Sequence, residues 1–275
     1  MSSFLQRILQ RASRRALLIS KRAMQSLRRP AGKQVVFVGG IQRSGTNMLM
    51  DVLERSVQTD VYHETDDAAF DAYELRSPEV LHRLVNNSPA PTVVLKALCE
   101  LQDMRALITD FAPARAIWML RNYDDMVNSH LRSWRGCPDR IARIITDRNS
   151  AGWRGRGMSD DTHALISRLH HPGINDASAV ALFWYFRNIL FFEQGFDHDK
   201  MVTVVRYETL VAEPDAEFAR LFDFLGLDYS DFVSRKVFAS SIRKNPPPDI
   251  EPPIRELCDA LTARFESVIS RYKRP

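Results

Sequence analysis

Residues 35–53 constrain the fold of this chain most. Val35 to Val38 is a β-branched and aromatic run leading into Gly39 and Gly40, after which Met48, Leu49, Val52 and Leu53 recur at helical spacing. The pattern reads as strand, tight glycine turn and helix. Further strand-like runs follow at Thr59 to Tyr62, Thr92 to Leu95, Ala116 to Leu120 and Met201 to Val205, with helical patterns between most of them. That alternation predicts an α/β fold in three α/β/α layers, with a mainly parallel central sheet covered on both faces. Ligands of such sheets bind at the carboxyl ends of the strands, so functional residues are expected just after each run. Ala179 to Glu193 is apolar nearly all round and predicts a buried helix, whereas Pro214 to Leu225 and Glu256 to Tyr272 read as amphipathic surface helices.

The turn itself reads Gly40-Ile41-Gln42-Arg43-Ser44-Gly45-Thr46-Asn47. Two glycines with four residues between them let the backbone curl, so that successive N–H groups and the positive end of the next helix face an anion. This is a P-loop-like phosphate cradle, but Thr46 stands where the lysine of a nucleotide-triphosphate loop would be. The cation within the loop is Arg43.

The 275 residues carry a net charge of +4, yet residues 1–33 hold nine Lys or Arg and no acid, which leaves the rest of the chain net acidic. The basicity belongs to an N-terminal arm, and a nucleic-acid partner is not expected, because nothing beyond the arm continues the contact. Leu5, Ile8, Leu9, Ala12, Ala16, Leu17, Ala23, Met24 and Leu27 recur near helical spacing among the basic residues. Such a basic amphipathic helix suits an anionic membrane surface or a partner; the acid-free, Ser-containing composition also resembles a targeting segment, and a solvated or core-packed extension is a third reading. Two parts are expected: the arm, residues 1–33, and one catalytic domain, residues 34–275. Three cysteines without close spacing suggest neither disulfides nor a Cys-rich metal site, so a cytoplasmic setting, peripheral to a membrane through residues 1–29, is expected.

Three later motifs carry more information. Arg121 ends the strand run Ala116 to Leu120, and Ser129 follows eight residues later on the next helix; a guanidinium fork and a helical hydroxyl together suit a phosphate. Val205-Arg206-Tyr207-Glu208-Thr209-Leu210 precedes Glu213-Pro214 and Phe222-Asp223-Phe224-Leu225-Gly226. Near the end stands Ser241-Ile242-Arg243-Lys244-Asn245.

Taken in order, these motifs resemble the sulfotransferases that use 3′-phosphoadenosine 5′-phosphosulfate (PAPS) and release 3′-phosphoadenosine 5′-phosphate (PAP). The resemblance implies that Arg43, Ser44, Gly45, Thr46 and Asn47 hold the donor's 5′-phosphosulfate and that Arg121 and Ser129 hold its 3′-phosphate. It also implies that Tyr207 lies near the adenine and that Arg243 and Lys244 close over the 3′-phosphate. Departures from the family pattern are Tyr123 after Arg121-Asn122, Thr209 for the usual Asp, and no full Arg-Lys-Gly at 243–245. The expected reaction is transfer of the sulfuryl group to a hydroxyl, less readily to an amine, without a metal.

In that reaction Arg43 and Lys96 neutralise charge on the leaving side, and a general base takes the acceptor's proton. The His that some relatives carry two residues after the strand-end Lys is Leu98 here. The resemblance points instead to Glu64, in Tyr62-His63-Glu64-Thr65, with His63 as runner-up base and acceptor contact. Trp153, Arg154 and Arg156, in a Gly-rich stretch from Asn149 to Gly157, are expected to form a mobile lid on the acceptor, and Asp66 to Leu84 another acceptor wall. His170 and His171 have no carboxylate or Cys pattern that would make a metal site. The acceptor class stays open among small molecule, carbohydrate, lipid and peptide. The competing readings are a P-loop-type nucleotide kinase and a non-catalytic nucleotide-binding or membrane-adaptor protein.

Overall fold

The structure is a computed structural model that describes residues 17–27, 32–235, 237, 242 and 244–272. Five strands form the central sheet: β1 (Gln34–Gly40), β2 (Thr59–Tyr62), β5 (Thr92–Lys96), β6 (Ala114–Leu120) and β7 (Val202–Arg206). Their order is β2-β5-β1-β6-β7, and every neighbouring pair is parallel. β1 therefore lies between β5 and β6, which brings the chain after Gly40, Lys96 and Arg121 to one edge of the sheet.

Alternation along β1 divides the core. Val36 and Val38 pack with Leu49, Ile117 and Phe222 on one face, whereas Val35 and Phe37 pack with Leu95, Trp118 and the buried helix on the other. Fully burying each of these side chains contributes roughly 1.5–3 kcal/mol, so the two faces hold the strand ends in register. This is the three-layer arrangement expected from the alternating pattern.

Boundaries differ where one residue type overrides a pattern. β1 runs through both glycines, because their missing side chains admit close neighbours: a Cβ on Gly40 would stand 2.7 Å from the Met119 carbonyl. The buried helix spans Asp176–Asn188 and a separate turn follows at Leu190–Glu193; Asn175 caps it by accepting from the Ser178 N–H. Pro214–Leu225 has the expected limits, and the last helix starts earlier, at Pro252. Between β2 and β5 lies an unforeseen hairpin, β3 (Phe70–Asp71) and β4 (Glu74–Leu75). Its turn residues Ala72 and Tyr73 have φ 47° and 72°, a strained conformation for side chains of their kind.

Residues 17–26 are helical. Two polar side chains of this helix face inward: Lys21 Nζ donates to the Glu54 carbonyl at 2.6 Å, and Gln25 Nε2 donates to the carbonyls of Val57 and Thr59 at 2.8 Å each. Burial pulls the Lys21 ammonium down to about 8. Ile19 and Leu27, 71% and 86% exposed, face out. Residues 1–16 and 28–31 of the arm lie outside the described residues.

Candidate active site

The phosphate cradle is built from two left-handed residues and one helix end. After β1, both the N–H and the Oγ of Ser44 donate to the Ile41 carbonyl, at 3.2 and 2.5 Å. Arg43 and Gly45 take φ 71° and 95°, and the helix Thr46–Glu54 begins at once. Among the described residues no side chain caps that helix, and no acid lies in its first turn, so its leading N–H groups and positive dipole end suit an anion. Gly45 is obligatory twice over: its φ is left-handed, and a Cβ there would lie 2.3 Å from the Tyr207 ring.

The residues expected for the two donor phosphates clasp one another. Arg121 Nη1 donates to the Arg43 carbonyl at 2.8 Å, and Arg43 Nε donates to Ser129 Oγ at 2.8 Å. The Arg121 guanidinium also lies 4.7 Å from the Tyr207 ring centroid. Ser129 reaches this place because Asn122 caps the helix Tyr123–Ser133, its side chain accepting from the Asp125 N–H at 3.2 Å. Arg43, Arg121, Ser129 and Tyr207 thus meet around one loop.

Beside the cradle, Lys96 closes β5 and is 2% exposed. Its Nζ lies 2.5 Å from Glu64 Oε2 and donates to Asn47 Oδ1, also at 2.5 Å. Glu64, Lys96, Asn47 and Arg43 all line one cleft of about 410 Å³. Trp153 and Arg154 line it from the opposite loop, and Tyr73 reaches it from the hairpin turn. Cys99 is in the wall as well, but burial pushes its thiol up to about 12, which keeps it protonated and unreactive.

Several expected residues are elsewhere. His63 points at Glu54, Nε2 to Oε1 3.5 Å, and is outside the cleft lining. Arg156 turns to the hairpin, where Nη1 lies 2.9 Å from Glu74 Oε2. Lys244 is exposed, and Arg243 lies outside the described residues. The loop carrying Trp153 is tied down from below: the fully buried Arg187 donates to the carbonyls of Trp153 and Arg156 at 3.1 and 3.4 Å and to Gln102 Oε1 at 3.0 Å. These bonds moor the backbone of that loop on the core.

The cleft also holds residues that sequence reasoning missed. His130, 3% exposed, follows Ser129 directly, and its ring lies 4.9 Å from Trp134 one turn later. Burial, with Arg140, Arg154 and Arg43 nearby, lowers its imidazole to about 4, so it is neutral near pH 7. The His130/Trp134 pair at i, i+4 was available as a signal; Arg140 and Phe183 offered none. Among the described residues no cluster of His, Cys, Asp and Glu could hold a metal ion, and no helix is long and apolar enough to cross a membrane.

The sulfotransferase domain family matches residues 33–246 of this chain. No curated protein matches it in sequence. Among solved structures, the sulfotransferase domain of the curacin biosynthetic pathway aligns with a TM-score of 0.52 at 13% identity, covering 84% of this chain and 98% of that one. A sulfotransferase from Alicyclobacillus acidocaldarius gives 0.48 at 17% identity, covering 90% and 100%. A mouse sulfotransferase, SULT7A1, in complex with PAP gives 0.44 at 17% identity, covering 94% and 92%. At 13% identity, the likeness to the curacin-pathway domain speaks to the fold alone.

Proposed function

The chain belongs to the sulfotransferase domain family, and we propose that it moves the sulfuryl group of PAPS onto a hydroxyl oxygen, with Glu64 as general base. The observation that carries this reading is the Lys96 ammonium held 2.5 Å from both Glu64 and Asn47 at the mouth of the phosphate cradle. A base, a cation and a phosphate loop then share one cleft, which is what in-line transfer from a phosphosulfate needs.

In this scheme the residues from Arg43 to Asn47 take the 5′-phosphosulfate, and Arg121 and Ser129 take the 3′-phosphate. Tyr207 sets the positions of Gly45 and Arg121. The acceptor oxygen forms a bond to sulfur while the bond from sulfur to the bridging phosphate oxygen breaks. The hydroxyl proton passes to Glu64. Lys96 has three N–H bonds, of which Asn47 and Glu64 take two; the third has no partner among the described residues and can meet the charge growing on the bridging oxygen. A well-placed base contributes roughly 10²–10⁴-fold.

Thermal-shift screening tests the donor. PAP without magnesium should raise the melting temperature, whereas ATP with magnesium should not; the reverse would replace this reading with a kinase. Transfer of labelled sulfate from PAPS into a metabolite extract then tests turnover. The outward Ile19 and Leu27, on an arm with nine basic residues, also support peripheral attachment to an anionic membrane. Flotation with anionic vesicles should be lost in an Ile19→Glu, Leu27→Glu variant.

A further inference from the structure

Arg140 and Arg154 line the far side of the cleft from elements that hold no part of the phosphate cradle: Arg140 from the helix Cys137–Thr146, Arg154 from the turn Gly152–Arg154. Both are half-buried, and among the described residues neither has a carboxylate within 4.0 Å. They repel each other, and burial pushes Arg154 below the usual guanidinium range. Glu64 is the acid in the cleft lining, and it is already engaged by Lys96. Arg140 bonds the Cys137 thiol, and Asp176 acts on Cys137 and His130 from beyond salt-bridge distance of either arginine, so two half-buried guanidiniums on one wall favour an anionic ligand.

A second observation points the same way. His130 Nδ1 is buried and has no hydrogen-bond partner among the described residues, in a side chain that lines this cleft. A buried ring nitrogen without a partner is uncommon, and here it marks a polar group in the wall that a ligand or its water can satisfy. Aromatic rings complete the wall: the Arg154 guanidinium lies 4.5 Å from the Trp153 ring centroid, and Phe183 is 6.4 Å from Trp153 and 6.2 Å from His130.

We infer that the acceptor is itself an anion, a hydroxyl compound with an apolar or ring-shaped body whose oxyanion group sits between Arg140 and Arg154. This rests on the sulfotransferase reading, in which Arg43 and Lys96 are committed to the donor. The remaining guanidiniums hold the acceptor by its charged end, the rings hold its body, and its hydroxyl is thereby aimed toward Glu64. A planar guanidinium can meet carboxylate, phosphate or sulfate oxygens through two N–H bonds, so charge and geometry both discriminate against a neutral acceptor.

The test uses the full chain loaded with PAP and two probes, 6-hydroxy-2-naphthoate and its neutral methyl ester, titrated by calorimetry. The acid should bind roughly tenfold tighter than the ester, the ratio expected for one charge-assisted contact. Arg154→Gln or Arg140→Gln should remove that preference and leave ester affinity unchanged, and Arg154→Lys should keep part of it. Equal affinities, binding of neither probe, or a preference that survives in the double variant would overturn the inference. PAP affinity is measured first. Wild-type protein that does not bind PAP brings down the donor reading instead, and variants that lose PAP together with the acid would assign the two arginines to the donor, which also overturns the proposal.

Discussion

The Lys96 ammonium lies 2.5 Å from Glu64, and it reaches there because β5 ends at Lys96 beside the chain that leaves β2 at Tyr62. Strand pairing between β2 and β5 therefore fixes the candidate base relative to the cation on the leaving side before any ligand binds. Asn47, in the first turn after the phosphate loop, is the other partner of the ammonium, so three segments meet on one nitrogen.

Glu64→Gln keeps the shape of this contact but cannot accept a proton. Turnover with PAPS should fall roughly 10²–10⁴-fold while PAP affinity stays within a few-fold. Lys96→Met should lower turnover as well, and it leaves Glu64 and Asn47 without their shared donor. Labelled-sulfate transfer and PAP calorimetry on the same preparations check both outcomes; near-normal turnover in Glu64→Gln removes the base assignment.

Gly45→Ala should separate the loop from its support. A Cβ would lie 2.3 Å from the Tyr207 ring at φ 95°, so the ring and the Arg121 guanidinium stacked on it must both shift. The left-handed conformation alone costs roughly 1–3 kcal/mol for an alanine, and PAP affinity should fall roughly tenfold or more. Adding Tyr207→Ala relieves the clash but not the backbone strain, so urea unfolding of the double variant should recover only part of the loss.

How far the sequence reached depends on how local each cause was. Thr59–Tyr62 and Pro214–Leu225 match their patterns to the residue, because alternation and a helix-starting proline act within a few positions. Arg121 and Ser129 were singled out by their resemblance to the family's Arg and Ser eight residues apart; the strand end and the Asn122 cap, seen only in the structure, set both beside Arg43. The hairpin was not legible: two-residue strands show no alternation, and Ala72 and Tyr73 are poor signals for a left-handed turn. That omission also explains Arg156, whose partner Glu74 is in the hairpin. Arg140 and Phe183 join the cleft through packing between distant helices, which no spacing records.

Arg187 offers a test of the acceptor wall apart from the donor site. It is fully buried and donates to Trp153 and Arg156 carbonyls and to Gln102. Arg187→Met would strand these acceptors, for about 2–4 kcal/mol of stability. The acceptor KM should rise well before PAP affinity changes. Arg187→Lys, with one compact ammonium in place of a planar fork, should restore only part of either quantity. An unchanged acceptor KM in a folded Arg187→Met protein would detach this residue from the wall.

Two buried groups set opposed pH dependences. Burial raises the Glu100 carboxyl from 4.5 to about 7 despite the Leu75 N–H it accepts at 2.7 Å, with Glu74 and Asp103 adding repulsion. It lowers His130 from 6.5 to about 4, with Arg140, Arg154 and Arg43 opposing its charge and Asp176 favouring it. As pH rises from 4.5 to 7, the unfolded chain releases the Glu100 proton while the native chain keeps it, so this group lowers stability with rising pH. As pH falls from 6.5 to 4, the unfolded chain takes up the His130 proton and the native chain does not, so stability is lost toward acid. Over the shared window the two slopes cancel in the wild type. Glu100→Gln should therefore be stabilised relative to wild type by about 3 kcal/mol at pH 8, with the difference vanishing below pH 4.5. His130→Gln should show its relative gain at acid pH and lose it above 6.5. Urea unfolding of the three proteins across pH 4 to 8 decides this, and difference curves that stay flat would mean that neither group titrates differently on unfolding.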